Sequence, residues 1–359
     1  MASRRFGLRT LVFLGGAILM LIPAVVTANL YIGVLHQRAE QLLVEKLTIR
    51  GELSAGLLAR RLYALWMDVA KLATTIDTAD LPAARDQIQF LSRLDSRYSW
   101  LGLADVNGKV LTAKGGMLEG ESVAQRPWFR RGLVAPTAID VHEAQLLARL
   151  MPAAPEPYRF IDMAAPLRHN GSTVAGVIGA HINWSWVAEG LAGLQASGID
   201  LLLLSRERVV LFGPPDLINK PLNIGSAQAA NRVTSAVLDE RWPNGKDYIT
   251  VTVPAVGYAD LPSFGWSLLI RQNLDEALAP TRELIRSFWI TLGSGAFVAL
   301  VLLYIAAKWV TTPLLRLCGF AESIVQAPNS KAPYQETRFD EAARLSDALV
   351  RLQSKLMRM

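Results

Sequence analysis

Cysteine and histidine are scarce in this chain, and their scarcity excludes several classes of site. Cys318 is the one cysteine among 359 residues, which rules out an internal disulfide framework and any cysteine-rich metal site. The four histidines all lie before residue 182. The sequence contains no Gly-x-x-x-x-Gly-Lys phosphate loop and no nucleophile elbow. Catalysis by this chain is therefore not expected.

Charge is scarce as well. Charged residues make up 19% of the chain and hydrophobic residues 51%, with a mean hydropathy of +0.26, whereas soluble domains carry about 25% charge. Part of the chain is therefore expected to lie in lipid. The net charge of +6 is confined to the ends, because residues 1–10 and 308–359 contribute +3 each. A neutral centre argues against nucleic-acid binding.

Two uncharged runs are long enough to cross a bilayer core of about 30 Å. The first, residues 11–35, follows the arginines of residues 1–10, and its Pro23 predicts a kink that a membrane helix tolerates. A cleaved signal peptide is the alternative, because Val26-Thr-Ala28 is a passable cleavage site. The second run, residues 287–307, can only be a membrane span. The basic residues outside the two spans place both termini in the cytoplasm.

Residues 36–97 are predicted to form a helical stalk. Its first helix covers residues 36–76, and a second, over about Leu81–Leu94, is started by Asp80 with Pro82 in its first turn. Apolar residues of the first helix step by four and three, at Leu58, Leu62, Leu65, Val69, Leu72 and Ile76. This heptad spacing fits a helix packed on the following domain, and equally a helix that also pairs with its copy in a dimer.

After the stalk the apolar period changes to two, which predicts strands. Asn107-Gly108 marks one hairpin turn and Asn170-Gly171 another. Residues 98–196 are predicted to form a first α/β unit. Residues 197–285 repeat the theme in a smaller unit, with a helix over about residues 229–241.

An arginine- and aromatic-rich stretch lies in the first unit. Arg126, Trp128, Phe129, Arg130 and Arg131 fall within six positions. Out of context this composition is typical of nucleic-acid binding, because guanidinium groups grip phosphates and aromatic rings stack on bases. Its position in a neutral segment between two spans argues against that partner. Arg130 and Arg131 are expected to form only the solvated face of a short helix.

Three stretches carry a resemblance to a known family, namely the Ala104-Asp-Val-Asn-Gly-Lys109 hairpin, the Arg126-Pro-Trp-Phe129 motif and the Gly176-Val-Ile-Gly-Ala-His181 strand. They resemble the double Cache (PAS-like) periplasmic sensor domains of bacterial transmembrane receptors. The Asp140-Val-His-Glu-Ala144 run with Leu146-Leu-Ala148 looks closest to the Cache domains of diguanylate cyclases. The resemblance covers residues 36–285. It implies an α/β (α+β) PAS-like fold on a long N-terminal helix, with a small ligand bound in the first, membrane-distal unit.

The resemblance also implies that Arg126, Trp128 and Phe129 contribute to the pocket. Position 129 is Phe where amino-acid-binding members commonly have Tyr, and His181 stands where they usually have Asp. An organic anion or an amino acid is the ligand class expected.

The residues themselves support such a pocket. Arg126 can clamp a carboxylate through its bidentate fork, and Trp128 offers a flat apolar wall. Asp140 and His142 lie two apart on a predicted strand, so they are expected to face the same side, opposite the wall and together with His181. The alternatives are that Arg126 is a structural ion-pair partner and Trp128 plain core. His142, His181 and Asp140 could also hold a metal, although no metal or cofactor is expected.

Residues 308–359 carry two further amphipathic patterns. They comprise Leu314, Leu317, Ala321 and Ile324, then Leu345, Leu349, Leu352, Leu356 and Met359, with Pro328 and Pro333 in the connector. Two such helices would make a parallel four-helix bundle in a dimer. The segment resembles a HAMP relay domain, since Pro313 follows the span and Asp340-Glu341 stands where that family has Asp-Glu.

The leading hypothesis is a homodimeric receptor of the bacterial inner membrane with a periplasmic sensor domain and a cytoplasmic output partner. One alternative is the sensory part of a longer or split diguanylate cyclase or sensor kinase, because residues 308–359 contain no motif of an output domain. Another is a membrane adaptor that regulates a separate output protein.

Overall fold

The computed structural model describes residues 6–152, 157–169, 173–326 and 334–357. The chain divides into two compact units. The two-sheet unit comprises Ala39–Ala279, and the apolar-helix unit comprises Met1–Arg38 with Pro280–Met359. The turn predicted at Asn170-Gly171 and the two connector prolines lie outside the described residues.

Helices and strands alternate in the order predicted for a mixed α and β protein. The helices are α1 (Leu8–Thr75), α2 (Leu81–Leu94), α3 (Pro127–Gly132), α4 (Trp184–Ala192), α5 (Gly225–Asn231), α6 (Leu274–Gln326) and α7 (Asp340–Leu356). The strands of the first sheet are β1 (Tyr98–Asp105), β2 (Val110–Ala113), β3 (Thr137–Glu143), β4 (Arg159–His169) and β5 (Thr173–Asn183). Those of the second are β6 (Ile199–Leu204), β7 (Val210–Phe212), β8 (Ala236–Arg241), β9 (Asp247–Val253) and β10 (Ser267–Asn273).

The two sheets are antiparallel and share one topology. The first has the strand order β2-β1-β5-β4-β3, and the second has the order β7-β6-β10-β9-β8. In each sheet the last strand of the sequence lies at the centre, so it is hydrogen-bonded to a neighbouring strand on both edges. The prediction that the smaller unit repeats the theme of the larger is therefore confirmed in its strand order.

One predicted helix is wrong in its second half. Residues 229–241 were expected to be helical, but α5 ends at Asn231 and β8 begins at Ala236. Val233 has a positive φ of 55°, which no helix accommodates. From there the burial alternates strictly, with Leu238 half-buried and Val237 and Asp239 exposed. That period of two is the pattern of an edge strand.

One face of α1 supplies the core of the two-sheet unit. Leu62, Leu65 and Val69 are fully buried and belong to the same apolar cluster as Leu101 and Ile182 of the first sheet. Each such side chain contributes about 1.5–3 kcal/mol on burial. The predicted heptad stripe of α1 therefore packs in the core of the two-sheet unit. A second stripe on α1 stays exposed, consisting of Leu42, Ile49 and Leu53.

The second sheet contains a buried arginine with one carboxylate partner and two aromatic neighbours, while its Nη1 has no hydrogen-bond partner among the described residues. Arg271 of β10 is 3% exposed, and its guanidinium lies 4.0 Å from the Trp242 ring and 4.1 Å from the Tyr248 ring. Its Nε donates to Asp200 on the neighbouring strand β6 at 2.8 Å. Because a buried charge is costly unless it is paired, this cluster is a structural tie between β6, β9 and β10.

The apolar-helix unit contains the apolar parts of α1 and α6, two helices that are long and apolar enough to cross a membrane. Their most apolar stretches are only 11% and 6% buried, which leaves their surfaces free for lipid. The helices pack through an edge-to-face pair of Phe13 and Tyr304. Gly16 allows close approach, since a Cβ there would lie 2.9 Å from Leu303.

The C-terminal part of this unit comprises the end of α6 and the helix α7. Leu317 and Ile324 of α6 are buried, and so are Ala342, Ser346 and Gln353 of α7. Of the leucines predicted to form the α7 seam, Leu345, Leu352 and Leu356 are exposed by 42–50%, and Leu349 is half-buried. Most of this seam is therefore not covered within one chain.

The α1 core should dominate the stability of the two-sheet unit. Leu62→Ala leaves a cavity between α1 and the first sheet and should lower the free energy of unfolding by about 2–5 kcal/mol. Leu94→Ala, at the 69% exposed end of α2, should change it by no more than about 0.5 kcal/mol. Thermal unfolding of the purified protein measures both; equal losses would contradict this assignment of the core.

Candidate ligand-binding site

The short helix α3 places the Arg126 motif at the rim of the first sheet. Arg126 is the residue before Pro127, whose fixed φ suits the first helical position. The Arg126 side chain makes no capping bond to the helix, so its guanidinium is free to point away from the backbone. Its Nη1 donates to Oε1 of Gln145. Among the described residues no carboxylate pairs with Arg126, which disfavours the structural ion-pair alternative.

Trp128 packs against the sheet because a glycine beneath it makes room for its ring. Its side chain is 2% exposed, and a Cβ on Gly179 of β5 would lie 2.5 Å from its ring. Trp100 and His181 lie beside it, with ring centroids at 5.6 Å and 5.8 Å. Gly102, directly across from Gly179 on β1, leaves similar room for Trp100. Trp128 is therefore both core and cavity wall.

Phe129 does not line the cavity. It is buried and meets the Trp128 ring edge to face at 5.9 Å. Phe129 packs against Trp128 and contributes to the pocket only by holding that ring in position. Arg130 and Arg131 are exposed on α3, as the sequence suggested for a solvated helix face.

The polar wall of the cavity is built by cross-strand neighbours. Asp162 of β4 lies directly opposite His181 of β5 in the ladder, and Oδ1 of Asp162 is 2.5 Å from Nδ1 of His181. His142 of β3 approaches from the other side, with Nε2 at 3.4 Å from Oδ2 of Asp162. Asp162 is 2% exposed, His181 11% and His142 38% at the side chain. Phe160 stacks on His181 with ring centroids 5.7 Å apart.

A β-bulge in β3 corrects the prediction for Asp140. Ile139 pairs with Asp162 and His142 pairs with Phe160, so three steps on β3 oppose two on β4. Asp140 therefore turns to the opposite face from His142 and does not line the cavity. Its Oδ1 accepts a hydrogen bond from Nε1 of Trp266 at 2.5 Å. Burial raises the pKa of Asp140, against the lowering effect of the bonds from Trp266 and the Val141 amide.

These side chains enclose a cavity of about 190 Å³ between α3, the segment after β3, and the face of β3, β4 and β5. Its polar lining brings together Arg126, His142, Glu143, Gln145, Asp162 and His181, and its apolar lining includes Trp128, Ile139, Leu147 and Phe160. The volume suits a small organic molecule. A guanidinium and a carboxylate in one cavity can bind a ligand that carries both signs of charge, and either group can bind a simpler ion.

Sequence reasoning missed Asp162 and Gln145. The signal for Asp162 was present, because Phe160 and Asp162 are two positions apart on a predicted strand and so face the same side. Its importance depends on the register that sets it opposite His181, which local pattern does not give. Gln145 lies in a segment without periodicity, so no pattern pointed to it.

The packing of Trp128 on Gly179 gives a direct test of the wall. Gly179→Ala should displace the Trp128 ring and destabilise the protein by about 1–3 kcal/mol, because the added Cβ would lie 2.5 Å from the ring and force it out of its packing against the sheet. Thermal unfolding and a shifted tryptophan emission spectrum measure the change. Gly257→Ala, where a Cβ meets nothing within 4 Å, is the control. An unaltered melting temperature in Gly179→Ala would show that Trp128 does not lie there.

Several solved structures share this fold. The ligand-binding domain of the Pseudomonas aeruginosa PAO1 amino acid chemoreceptor PctB, in complex with L-Arg, has a TM-score of 0.51 at 21% identity, covering 66% of this chain and 97% of that one. The ligand-binding domain of the Pseudomonas fluorescens chemoreceptor CtaA, in complex with L-isoleucine, has a TM-score of 0.51 at 19% identity, covering 69% and 97%. Methyl-accepting chemotaxis protein X has a TM-score of 0.50 at 15% identity, covering 66% and 99%.

In sequence, no family profile and no curated protein matches the chain. The similarity is thus carried by the two antiparallel sheets and their helices. The predicted resemblance to double Cache sensors is confirmed at this level. The two-sheet unit has the fold of the Cache-type ligand-binding domains of transmembrane chemoreceptors.

Proposed function

We propose that this protein is a transmembrane receptor that senses a small organic acid outside the cytoplasm. The observation that carries the proposal is the cavity in which Arg126 and Trp128 face Asp162 and His181. It lies in a fold whose solved examples are ligand-binding domains of chemoreceptors.

The ligand class follows from the charges of the cavity. Arg126 presents a planar fork that matches a carboxylate in two hydrogen bonds. Asp162 lies on the opposite wall and can accept a hydrogen bond from an ammonium or hydroxyl group. Trp128 supplies a flat apolar surface for the carbon skeleton and attracts an ammonium through its ring face. An amino acid fits these groups as well as a simple organic anion does.

Ligand binding should depend on Arg126. We expect an amino acid or another small carboxylate to raise the melting temperature of the purified full-length protein. Arg126→Ala should weaken that binding by about tenfold or more, since charge-assisted bonds contribute about 1.5–3 kcal/mol. A thermal-shift screen of amino acids, carboxylates and polyamines, followed by calorimetric titration of the hit, measures both effects.

Arg130→Ala is the matched control, because Arg130 is exposed on the same short helix. It should bind the hit like the wild type. A ligand that stabilises the wild type and Arg126→Ala equally would remove Arg126 from the site. If only cationic polyamines bind, the ligand class proposed here is wrong.

The proposed topology places the two-sheet unit outside the cytoplasm and both termini inside, in a bacterial inner membrane. The uncharged runs of α1 and α6 are its spans, and the basic residues beyond them support this orientation. The segment after the second span would act as a HAMP-like relay to a cytoplasmic output partner. The exposed leucines of α7 support that role, because a parallel bundle of two chains would cover them.

We also propose that the receptor is a homodimer whose α1 helices meet through Leu42, Ile49 and Leu53. These residues step by seven and four along one exposed face of α1, which is the spacing of a helix pair. The buried stripe from Leu58 to Ile76 is already covered by the first sheet and is not available for this contact.

Cysteine cross-linking tests the α1 contact. Leu53→Cys should form a disulfide-linked dimer under mild oxidation in membranes. Glu52→Cys, exposed but about 100° round the helix, should cross-link far more slowly. Cys318→Ala serves as the background for both variants. Equal cross-linking of the two cysteines, or none at Leu53, would contradict this seam, and non-reducing gel electrophoresis measures it.

A further inference from the structure

Two histidines and one carboxylate converge on the cavity in a way that carboxylate binding does not require. One ligand atom from each of His142, Asp162 and His181 can be chosen so that all three lie within 4.8 Å of one another. They come from β3, β4 and β5, three adjacent strands whose ladder holds their backbones in place. Asp162 and His181 are buried, whereas His142 is the exposed edge of the cluster.

The hydrogen bond of His142 decides which of its nitrogens can bind a cation. Nδ1 lies 3.0 Å from the carbonyl oxygen of Asp140. A carbonyl only accepts, so Nδ1 carries the hydrogen, and Nε2 of the neutral ring presents a lone pair. That lone pair faces Oδ2 of Asp162 at 3.4 Å. Two acceptors turned towards one another need a positive charge between them.

We propose that His142, Asp162 and His181 bind one divalent transition-metal ion of the zinc type. Zinc binds imidazole nitrogen at about 2.0–2.1 Å and carboxylate oxygen at about 2.0–2.2 Å, so the 3.4 Å between Nε2 of His142 and Oδ2 of Asp162 suits two ligands of a tetrahedral centre. The hydrogen bond between Nδ1 of His181 and Oδ1 of Asp162 must open for that nitrogen to bind the ion. Imidazole ligands favour zinc, copper or nickel over magnesium and calcium, which take oxygen ligands. The bond from His142 to the Asp140 carbonyl is the kind of outer contact that fixes a metal-binding imidazole.

Three protein ligands leave a coordination position open towards the cavity. Arg126 and Gln145 line the same cavity, so a carboxylate could bridge the ion and the guanidinium. The metal site depends on the proposed function only in that both use the same cavity. The three side chains can bind the ion whether or not an organic acid is present.

The test uses full-length protein purified in detergent without a polyhistidine tag and stripped of metal by a chelator. Titration with Co²⁺ should give a visible absorption band that saturates at one ion per chain, and Zn²⁺ should displace it. Asp162→Asn and His142→Ala should each weaken Zn²⁺ binding by at least about tenfold. His36→Ala, a histidine that does not line the cavity, should bind like the wild type.

Loss of binding counts only for variants that still unfold cooperatively; His142→Ala is the safer of the two, because His142 is partly exposed. A wild type that binds no Zn²⁺ or Co²⁺ would show that a proton, not a metal, joins His142 to Asp162. Unchanged binding in His142→Ala would also overturn the proposal.

A carboxylate titration of the same stripped protein separates the two proposals. A carboxylate response that Arg126→Ala abolishes, without metal binding, removes the metal site and leaves the receptor function. Metal binding without any carboxylate response removes the organic-acid function and leaves the metal site.

Discussion

The cavity depends on one costly group, the carboxylate of Asp162. It is 2% exposed at the side chain, and a buried carboxylate is stable only when hydrogen-bond donors or a cation compensate it. Its partners come from the neighbouring strands on both sides, His181 on β5 and His142 on β3. The strand order that puts β4 between them is therefore a condition for the site. An apolar replacement at His181 would leave the carboxylate without its hydrogen-bond partner.

The aromatic wall is subject to a different constraint, which is space. A tryptophan ring lies flat on a sheet only where the strand beneath has no side chain, and Gly179 and Gly102 supply that surface for Trp128 and Trp100. The rings then enclose His181 on one side of the sheet. On the other side, Ala180 and Ile182 of the same strand pack into the cluster that contains Leu62 and Leu65 of α1. Successive side chains of β5 therefore point alternately to the cavity and to the core formed with α1.

How much of the structure could be predicted depends on how far apart along the sequence the interacting residues lie. The buried stripe of α1 and the position of Trp128 depend on local periodicity and a short motif, and both are found in the structure. The pairing of Asp162 with His181 joins residues nineteen apart, and no local pattern specifies that register. The placement of Asp140 beside His142 assumed an uninterrupted strand, and a single bulge reverses it. The helix expected over residues 229–241 failed for a similar reason, because a positive φ at Val233 ends it.

The β-bulge in β3 turns Asp140 away from the cavity, and Asp140 then contacts the second sheet. His142 points to the cavity, and Asp140, on the other face of β3, accepts a hydrogen bond from Trp266, the residue before β10. A ligand that moves His142 must therefore act on a strand segment whose opposite face is bonded to the second sheet. Binding can shift this arrangement only by its differential affinity for two states. The path from His142 to Trp266 is short, because the Asp140 carbonyl contacts Nδ1 of His142 and the Asp140 carboxylate accepts the hydrogen bond of Trp266.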